Sequence, residues 1–367
     1  MSIGSYPSPS AKAPNAALFC ALAFCILSVS KPAHGDGKAV SAMPIPTSAA
    51  TTLTGNRPQF PGSPPPPPSP AAPATETNSF PGTKSASAPP PKAPDAPRPQ
   101  VEKVFFNSAD MQGGKPLLSA IWVRAAPIAK DKPLKPTVIA LHTCGGLYSV
   151  IQKDKNLITP RTAAMARELR NAGYNLLLPD SLTPRGKVSV CTESLQQRDA
   201  STAEQARDVQ AALRWLARQD DVDPDRIALL GWANGGSAVM KVLAAKPARG
   251  ALQIKGGVAF YPSCAQIDSR VAYKPSAPLL ILMGDEDDWA PVTICNALVA
   301  KADPSMVKLN VYPDSYHEFD APGMPVHVRL DVPNPQHPGQ GVTAGTNPDT
   351  KVQANQDMLT FLEAVMK

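Results

Sequence analysis

Residues 226–242 read RIALLGWANGGSAVMKV, an apolar strand pattern that passes through a glycine-rich turn directly into a helix pattern. Gly231 and Gly235 stand two positions on either side of Ala233. Glycine is needed where strand and helix backbones approach too closely for a β-carbon. This is the layout of a nucleophile elbow, G-x-S-x-G, in which a strained turn exposes a reactive side chain. Here the central position is alanine, so the turn is present without its hydroxyl.

The rest of the chain from Val101 onward fits the same architecture, because apolar strand patterns alternate with helix patterns. Such alternation predicts one α/β domain over 101–367, built on a mostly parallel eight-stranded sheet with helices on both faces. The predicted strands are Val104–Phe106, Leu117–Val123, Thr137–His142, Asn175–Pro179, Arg226–Gly231, Gly257–Tyr261, Leu279–Met283 and Val307–Tyr312. The predicted helices lie near Ala163–Ala172, Ala203–Ala217, Gly235–Ala245, Val292–Ala300 and Val352–Met366. We expect the first two strands to pair antiparallel at one edge.

Two other interpretations of the glycine turn are weaker. A phosphate-binding turn would need G-x-G-x-x-G spacing or a P-loop lysine, and GWANGG has neither. Ser237 is a possible substitute nucleophile, but it lies one turn into the helix, where its side chain points along the helix.

An acid and a base follow later strands in the chain order that elbow enzymes use. Asp287 follows the strand LLILM within GDEDDWAP, and His317 follows the strand VKLNVY within YPDSYHEFD. The base takes the nucleophile's proton and returns it to the leaving group, while the acid fixes the imidazole tautomer. The competing interpretations are a helix N-cap for Asp287 and a surface histidine without a role for His317.

The N-terminal part has the composition of targeting and linker sequence. Lys12 precedes an apolar run over 16–29, and Ala33-His34-Gly35 places small residues at a cleavage site. As a helix the run would extend about 21 Å, less than the hydrocarbon thickness of about 30 Å. We therefore predict a cleaved signal peptide over 1–35, export to the periplasm or medium, and no stable membrane insertion afterwards. Residues 36–100 form a Pro-rich, disordered linker.

Charge and cysteine content exclude some classes of function. The net charge is only +6 and aromatic residues make up 5% of the chain, which argues against nucleic-acid binding. Four cysteines remain after signal cleavage: Cys144, Cys191, Cys264 and Cys295. In an exported protein they predict two disulfides with three possible connectivities, and the lack of a CxxC pair argues against zinc.

Five separated segments occur together along the chain: DSLTPRG, GWANGGSAV, YPSC, GDEDDWAP and YPDSYHEFD. In this combination the chain resembles the dienelactone hydrolase family, especially its exported bacterial members, over about 105–320. The resemblance implies an α/β-hydrolase fold, a catalytic acid at Asp287, a catalytic base at His317 and no cofactor or metal. Members of this family carry Cys or Ser at the position of Ala233.

Two further features follow from the resemblance. HTCGG at 142–146 resembles the oxyanion loop H-G-x-G-G, which implies that the backbone N–H groups of Cys144 and Asn234 stabilise an oxyanion. The sheet order of the fold makes the third and fourth strands neighbours, and also the sixth and seventh. We therefore expect the disulfides Cys144–Cys191 and Cys264–Cys295, which would leave Cys144 without a free thiol.

The alanine leaves three hypotheses for function. The first is a monomeric hydrolase of small esters or lactones that uses an unusual nucleophile or an activated water. The second is a pseudoenzyme that binds a small ligand or a protein partner without turnover. The third is a substitution, Ser→Ala, in an otherwise ordinary enzyme. Arg161 and Arg185 are candidates for contact with an anionic substrate, and the segment 328–350 either covers the site or is disordered.

Overall fold

The computed structural model describes residues 100–109, 113–125, 134–149, 157–247 and 249–367. The signal peptide and nearly all of the Pro-rich linker predicted above lie outside these residues. The strands are β1 (Val101–Asn107), β2 (Leu117–Val123), β3 (Lys135–Leu141), β4 (Asn175–Pro179), β5 (Val222–Trp232), β6 (Ile254–Phe260), β7 (Leu279–Gly284), β8 (Val307–Tyr312), β9 (His327–Arg329) and β10 (Val342–Ala344). The α-helices are α1 (Pro160–Asn171), α2 (Leu195–Leu216), α3 (Asn234–Ala244), α4 (Val292–Val299) and α5 (Pro348–Val365).

Eight strands form one sheet in the order β1-β2-β4-β3-β5-β6-β7-β8. The pairs β1·β2 and β2·β4 are antiparallel, and every later pair from β4·β3 to β7·β8 is parallel. β4 and β7 are buried along their whole length, which explains their continuous apolar sequences. The mostly parallel eight-stranded sheet predicted from the sequence, with its antiparallel edge, is therefore confirmed.

Two helices begin earlier than their apolar patterns indicate. α1 begins at Pro160 because the side chain of Thr159 caps it and proline suits the first helical position. α2 begins at Leu195, well before Ala203, because Ser194 and Gln197 form a capping box. Polar residues fill the first turns of α2, so hydrophobic periodicity does not reveal them. This extension brings residue 198 to the carboxyl edge of the sheet.

The segment 328–350 includes structure that the sequence analysis left open. β9 and β10 form a two-stranded antiparallel sheet, with Arg329 paired to Val342. The hairpin contributes Val332 and Val342 to a small hydrophobic cluster separate from the main core. The other members of this cluster are Cys144, Leu182, Val190, Cys191 and Trp289. The hairpin thus packs over loops at the carboxyl edge of the sheet.

Both disulfides expected from the resemblance are present. Cys144 bonds to Cys191 across a sequence separation of 47, and Cys264 bonds to Cys295 across 31. Each disulfide links segments that follow adjacent strands of the sheet, with Cys295 inside α4. Among the residues that the structure describes, no helix combines the length and apolar character needed to cross a membrane.

Candidate active site

The turn between β5 and α3 has the backbone geometry of an elbow. Ala233 has φ 48° and ψ −110°, a conformation that costs a non-glycine residue about 1–3 kcal/mol. A β-carbon at Gly231 would lie 2.2 Å from the carbonyl oxygen of Gly235. A β-carbon at Gly235 would lie 2.2 Å from the carbonyl oxygen of Leu141. The close approach of β3, β5 and α3 therefore requires both glycines and holds Ala233 in its strained conformation.

His317 and Asp287 lie at the ends of β8 and β7 and form a hydrogen-bonded pair. His317 Nδ1 is 2.7 Å from Asp287 Oδ2, and both residues are buried. The other carboxylate oxygen, Oδ1, accepts hydrogen bonds from the backbone N–H groups of Trp289 at 3.0 Å and Ala290 at 2.7 Å. A carboxylate only accepts hydrogen bonds, so Nδ1 of His317 is the donor in this bond, and in the neutral ring Nε2 is the nitrogen with the free lone pair. The carboxylate of Asp287 therefore fixes the orientation of the His317 imidazole.

Two aromatic rings enclose the imidazole of His317. The ring centroids of Tyr261 and Trp289 lie 4.5 Å and 4.6 Å from the centroid of His317. Tyr261 adopts φ 36°, and its hydroxyl donates a 2.6 Å hydrogen bond to Asp320 Oδ1. Burial raises the pKa of Tyr261 well above its usual value, so the phenol stays protonated and keeps this bond. These contacts limit rotation of the base.

The hairpin β9–β10 is attached to the loops that carry Asp287 and His317. Asp288, next to the acid, accepts hydrogen bonds from Thr343 N at 2.7 Å and Thr343 Oγ1 at 3.2 Å. The carbonyl of His317 accepts a 3.0 Å bond from the N–H of Gly345. The guanidinium of Arg329 lies 5.3 Å from the centroid of the Trp289 ring. The hairpin therefore supports the Trp289 wall of the site.

A small cleft runs between these elements. It is lined by Ala233 and His317 and by the two residues proposed to form the oxyanion site, Cys144 and Asn234. Asn234 is the first residue of α3, where a backbone N–H has no acceptor within its own helix. Cys144 belongs to a disulfide, so it offers its backbone but no thiol. Asp287 stands behind the imidazole of His317.

Ser237 also lines the cleft, but its hydroxyl bonds to nearby backbone groups. Its Oγ accepts a 2.9 Å bond from the N–H of Ser263 and donates at 3.3 Å to the carbonyl of Ala233. The side chain thus lies along α3, as its position one turn into the helix predicts.

The two arginines considered from the sequence are engaged in buried ion pairs. Arg161 pairs with Glu318 at 3.1 Å and Asp320 at 3.2 Å. Arg185 binds both carboxylate oxygens of Asp208, at 2.8 Å and 2.9 Å. Their charges are neutralised within the fold, which makes both poor candidates for contact with an anionic substrate.

Arg198 in α2 is the cation that lines the cleft, and sequence reasoning missed it. Its Nε is buried and has no hydrogen-bond partner among the described residues. Burial lowers the pKa of Arg198, and the negative charge of Glu193 partly offsets this effect. The one signal that could have found it is the capping box of Ser194 and Gln197, which places residue 198 in the first turn of α2.

Comparison with known proteins places this geometry in a family. The model of the dienelactone hydrolase family matches residues 123–366. The chain belongs to the dienelactone hydrolase family. The match spans β3 to α5 and includes Ala233, Asp287 and His317. Within the described ranges, no group of three or more His, Cys, Asp or Glu side chains is arranged to hold a metal ion.

Individual relatives are distant and match only parts of the chain. A Bradyrhizobium protein named "Probable 2-oxo-3-(5-oxofuran-2-ylidene)propanoate lactonase" is 30% identical over 172 residues, covering 42% of this chain and 60% of the relative. An uncharacterized protein of Mycobacterium tuberculosis is 34% identical over 113 residues, covering 26% of this chain and 40% of the relative. The chain thus spans 60% or less of the length of these relatives.

Among solved structures, a dienelactone hydrolase-like promiscuous phosphotriesterase from metagenomic libraries aligns with a TM-score of 0.52. The two proteins share 15% sequence identity over 73% of this chain and 100% of that chain. At this identity the likeness shows a common fold and nothing further about chemistry.

Proposed function

We propose that this protein hydrolyses small esters or lactones in the cleft, with a water molecule in place of a side-chain nucleophile. The observation that carries the proposal is the buried 2.7 Å hydrogen bond between His317 Nδ1 and Asp287 Oδ2 beside the elbow. That pair leaves Nε2 of His317 able to take a proton. Ala233 differs from serine by a single oxygen, so a water molecule can take the place of the hydroxyl.

The proposed reaction uses one water molecule, the Asp287–His317 pair and two backbone N–H groups at the cleft. Nε2 of His317 removes a proton from the water as its oxygen bonds to the carbonyl carbon of the substrate. The carbonyl oxygen becomes an oxyanion and accepts hydrogen bonds from the backbone N–H groups of Cys144 and Asn234. The tetrahedral intermediate collapses, the bond to the leaving oxygen breaks, and His317 returns its proton to that oxygen. The products are a carboxylic acid and an alcohol, or a hydroxy acid from a lactone.

The rate expected from this reaction is low. In a protease triad, loss of the nucleophile costs about 10⁶ in kcat, and about 10³–10⁴ over water remains from the oxyanion site and binding. We therefore expect slow, His317-dependent turnover by the natural chain.

Arg198 supports a substrate that carries a carboxylate. Its guanidinium lies at the cleft with Nε unpaired among the described residues. A buried guanidinium forms a stronger hydrogen bond with an anion than with a neutral group. The name of the Bradyrhizobium relative, a lactonase for a propanoate, agrees with a substrate that is both a lactone and an anion.

A second candidate function is binding without turnover. It is favoured by Ala233, whose methyl group has no nucleophilic atom. In that case the cleft would hold a small acid or ester, and the acid–base pair would only contribute to binding.

The test is hydrolysis of activated esters and lactones by the purified full chain, beside Ala233→Ser, His317→Ala and His327→Ala. His327 is an exposed histidine on β9 and serves as the matched control. We expect slow hydrolysis by the parent, its loss in His317→Ala, and no change in His327→Ala. A silent parent with an active Ala233→Ser variant would refute the water mechanism and favour binding. Equal hydrolysis by the parent and His317→Ala would exclude His317 as the base.

Selectivity for anions is tested separately with Arg198→Gln. We expect KM for a carboxylate-bearing ester to rise about tenfold or more, as loss of a charged hydrogen bond implies. KM for the neutral ester of the same size should change less than about twofold. Arg270→Gln, at an exposed arginine paired with Asp268, is the control. Equal effects on both esters would refute the carboxylate assignment.

We also propose that the chain is exported as a monomer after removal of residues 1–35. The two disulfides support export, because disulfides persist in oxidising compartments. N-terminal sequencing of the mature protein should begin near Asp36, and size-exclusion chromatography should give a monomer. A retained N-terminal segment in the cytoplasm would contradict the proposal.

A further inference from the structure

Gln205 in α2 links the two segments that carry the proposed oxyanion donors. The residue is fully buried. Its Nε2 donates a 3.1 Å hydrogen bond to the carbonyl of His142, which follows β3 directly. Its Oε1 accepts a 3.2 Å hydrogen bond from Nδ2 of Asn234, the first residue of α3. One carboxamide therefore connects the loop that contains Cys144 to the N-terminus of α3.

The loop side of this link is fixed by His142. Nδ1 of His142 lies 2.7 Å from the carbonyl oxygen of Thr143, and Nε2 accepts a 3.1 Å hydrogen bond from the N–H of Ser181. Both bonds form together only when the ring is neutral and its proton is on Nδ1. Burial lowers the pKa of His142, which keeps the ring neutral at pH 7. The ring thus sets the direction of the peptide before Cys144.

The helix side is fixed by a second residue of α2. The Thr202 hydroxyl shares its one proton between Asn234 Oδ1 at 2.9 Å and the carbonyl of Arg198 at 2.8 Å, while Asn234 Nδ2 donates to Gln205 Oε1. Both ends of the Asn234 side chain are therefore held by α2. These three residues are buried, so solvent water does not compete strongly for the bonds.

We propose that Gln205 is a positioning residue that sets the spacing between the backbone N–H groups of Cys144 and Asn234. The inference rests on the proposed function, since those two groups stabilise the oxyanion in that reaction. Oxyanion donors act only when they lie about 2.7–3.1 Å from the developing charge, and loss of one donor costs about 10²–10³ in kcat. A shift of either segment therefore lowers kcat while substrate binding remains.

Two substitutions distinguish the two hydrogen bonds of Gln205. Gln205→Glu keeps the shape and the acceptor for Asn234, but its ionised form loses the donor to the carbonyl of His142. Gln205→Leu removes both bonds. We expect kcat to fall about tenfold in Gln205→Glu and about 100-fold in Gln205→Leu, with KM within about twofold of the parent. If Gln205 had a purely structural role, its substitution would lower the amount of folded protein, and the folded fraction would keep both its kcat and its KM.

Asn175 is the matched control for the cost of removing a buried carboxamide. It accepts a 2.9 Å bond from the N–H of Ala125 and donates at 3.2 Å to the carbonyl of Asp221, at the opposite edge of the sheet. Asn175→Leu should lower stability to a similar extent and leave kcat of the folded protein unchanged. A comparable loss of kcat in Asn175→Leu would overturn the assignment to Gln205.

The Gln205 and Asn175 substitutions are made in the parent chain and also in the Ala233→Ser variant. The second set is needed because slow turnover by the parent could hide the effect. If the parent is silent but the Ala233→Ser background is active, the proposed water mechanism fails while Gln205 is still tested. If neither protein hydrolyses esters, the role of Gln205 is tested by the backbone amide resonances of Cys144 and Asn234 in selectively ¹⁵N-labelled protein. They should shift or broaden in Gln205→Leu and not in Asn175→Leu. Unmoved resonances, or kcat unchanged in Gln205→Leu, would overturn the inference.

Discussion

Removal of either disulfide should cost nearly the same stability, while only one removal should affect catalysis. The loop-closure relation gives a loss of about 4.0 kcal/mol for the separation of 47 between Cys144 and Cys191. It gives about 3.7 kcal/mol for the separation of 31 between Cys264 and Cys295. The difference is small because loop entropy grows only with the logarithm of loop length.

The assay is urea unfolding of the double variants Cys144→Ala/Cys191→Ala and Cys264→Ala/Cys295→Ala. Tryptophan fluorescence reports the folded domain, because all four tryptophans of the chain lie within 101–367. With a slope of about 3 kcal/mol per molar urea, each midpoint should fall by roughly 1.3 M. Losses below about 1 kcal/mol in both variants would refute the loop-entropy reasoning.

We expect the two disulfides to differ in their effect on catalysis. Cys144 lines the cleft and belongs to the cluster with Trp289, whereas Cys264 and Cys295 do not line the cleft. Hydrolysis is measured without urea and at a temperature where both variants are folded. We expect it to fall only when the Cys144–Cys191 bond is absent. An equal loss of kcat in both variants would show that this disulfide does not specifically position the oxyanion loop.

Three further outcomes follow from the geometry. Asp287→Asn should lower kcat about 10⁴-fold in the Ala233→Ser background with little change in KM, because the amide favours the wrong imidazole tautomer; a loss under tenfold would exclude the acid role. Since burial lowers the pKa of His142, the unfolded chain binds a proton below about pH 6.5 before the folded protein does. The free energy of unfolding should therefore decrease as pH falls from 7 to 5, and decrease less in His142→Gln, as measured by urea titrations at each pH. Gly235→Ala places a β-carbon 2.2 Å from the carbonyl oxygen of Leu141 and should cost more than about 3 kcal/mol, so an unchanged urea midpoint would contradict the close packing of the elbow.

The contact between Asp287 and His317 could be predicted because the order of strands in the sheet brings the two residues together. Carboxyl ends of neighbouring parallel strands meet at one edge, so residues just after β7 and β8 must lie close together. Asp287 and His317 each follow such a strand within a few residues. Their 2.7 Å contact follows from topology and short loops, both of which leave clear sequence patterns.

Other parts of the site have no such pattern. Arg198 lies in a polar first turn of α2 that lacks apolar periodicity, so neither the helix start nor the residue was predicted. The hairpin β9–β10 has three residues in each strand, too few for a period-2 pattern to emerge. Arg161 forms a buried ion pair with Asp320, and Arg185 forms one with Asp208. These partners are distant in the sequence, so residue spacing does not reveal the ion pairs.

The strain at the elbow bears on the choice between turnover and binding. Ala233 holds φ 48°, which glycine would adopt without steric cost. His317 and Asp287 are likewise buried, and burying such groups is unfavourable unless they are paired. Ala233 and His317 line the same cleft, and the carboxylate of Asp287 orients the imidazole there. The proposed hydrolysis would use the pair directly, because an imidazole oriented by a carboxylate is the group that would deprotonate the water.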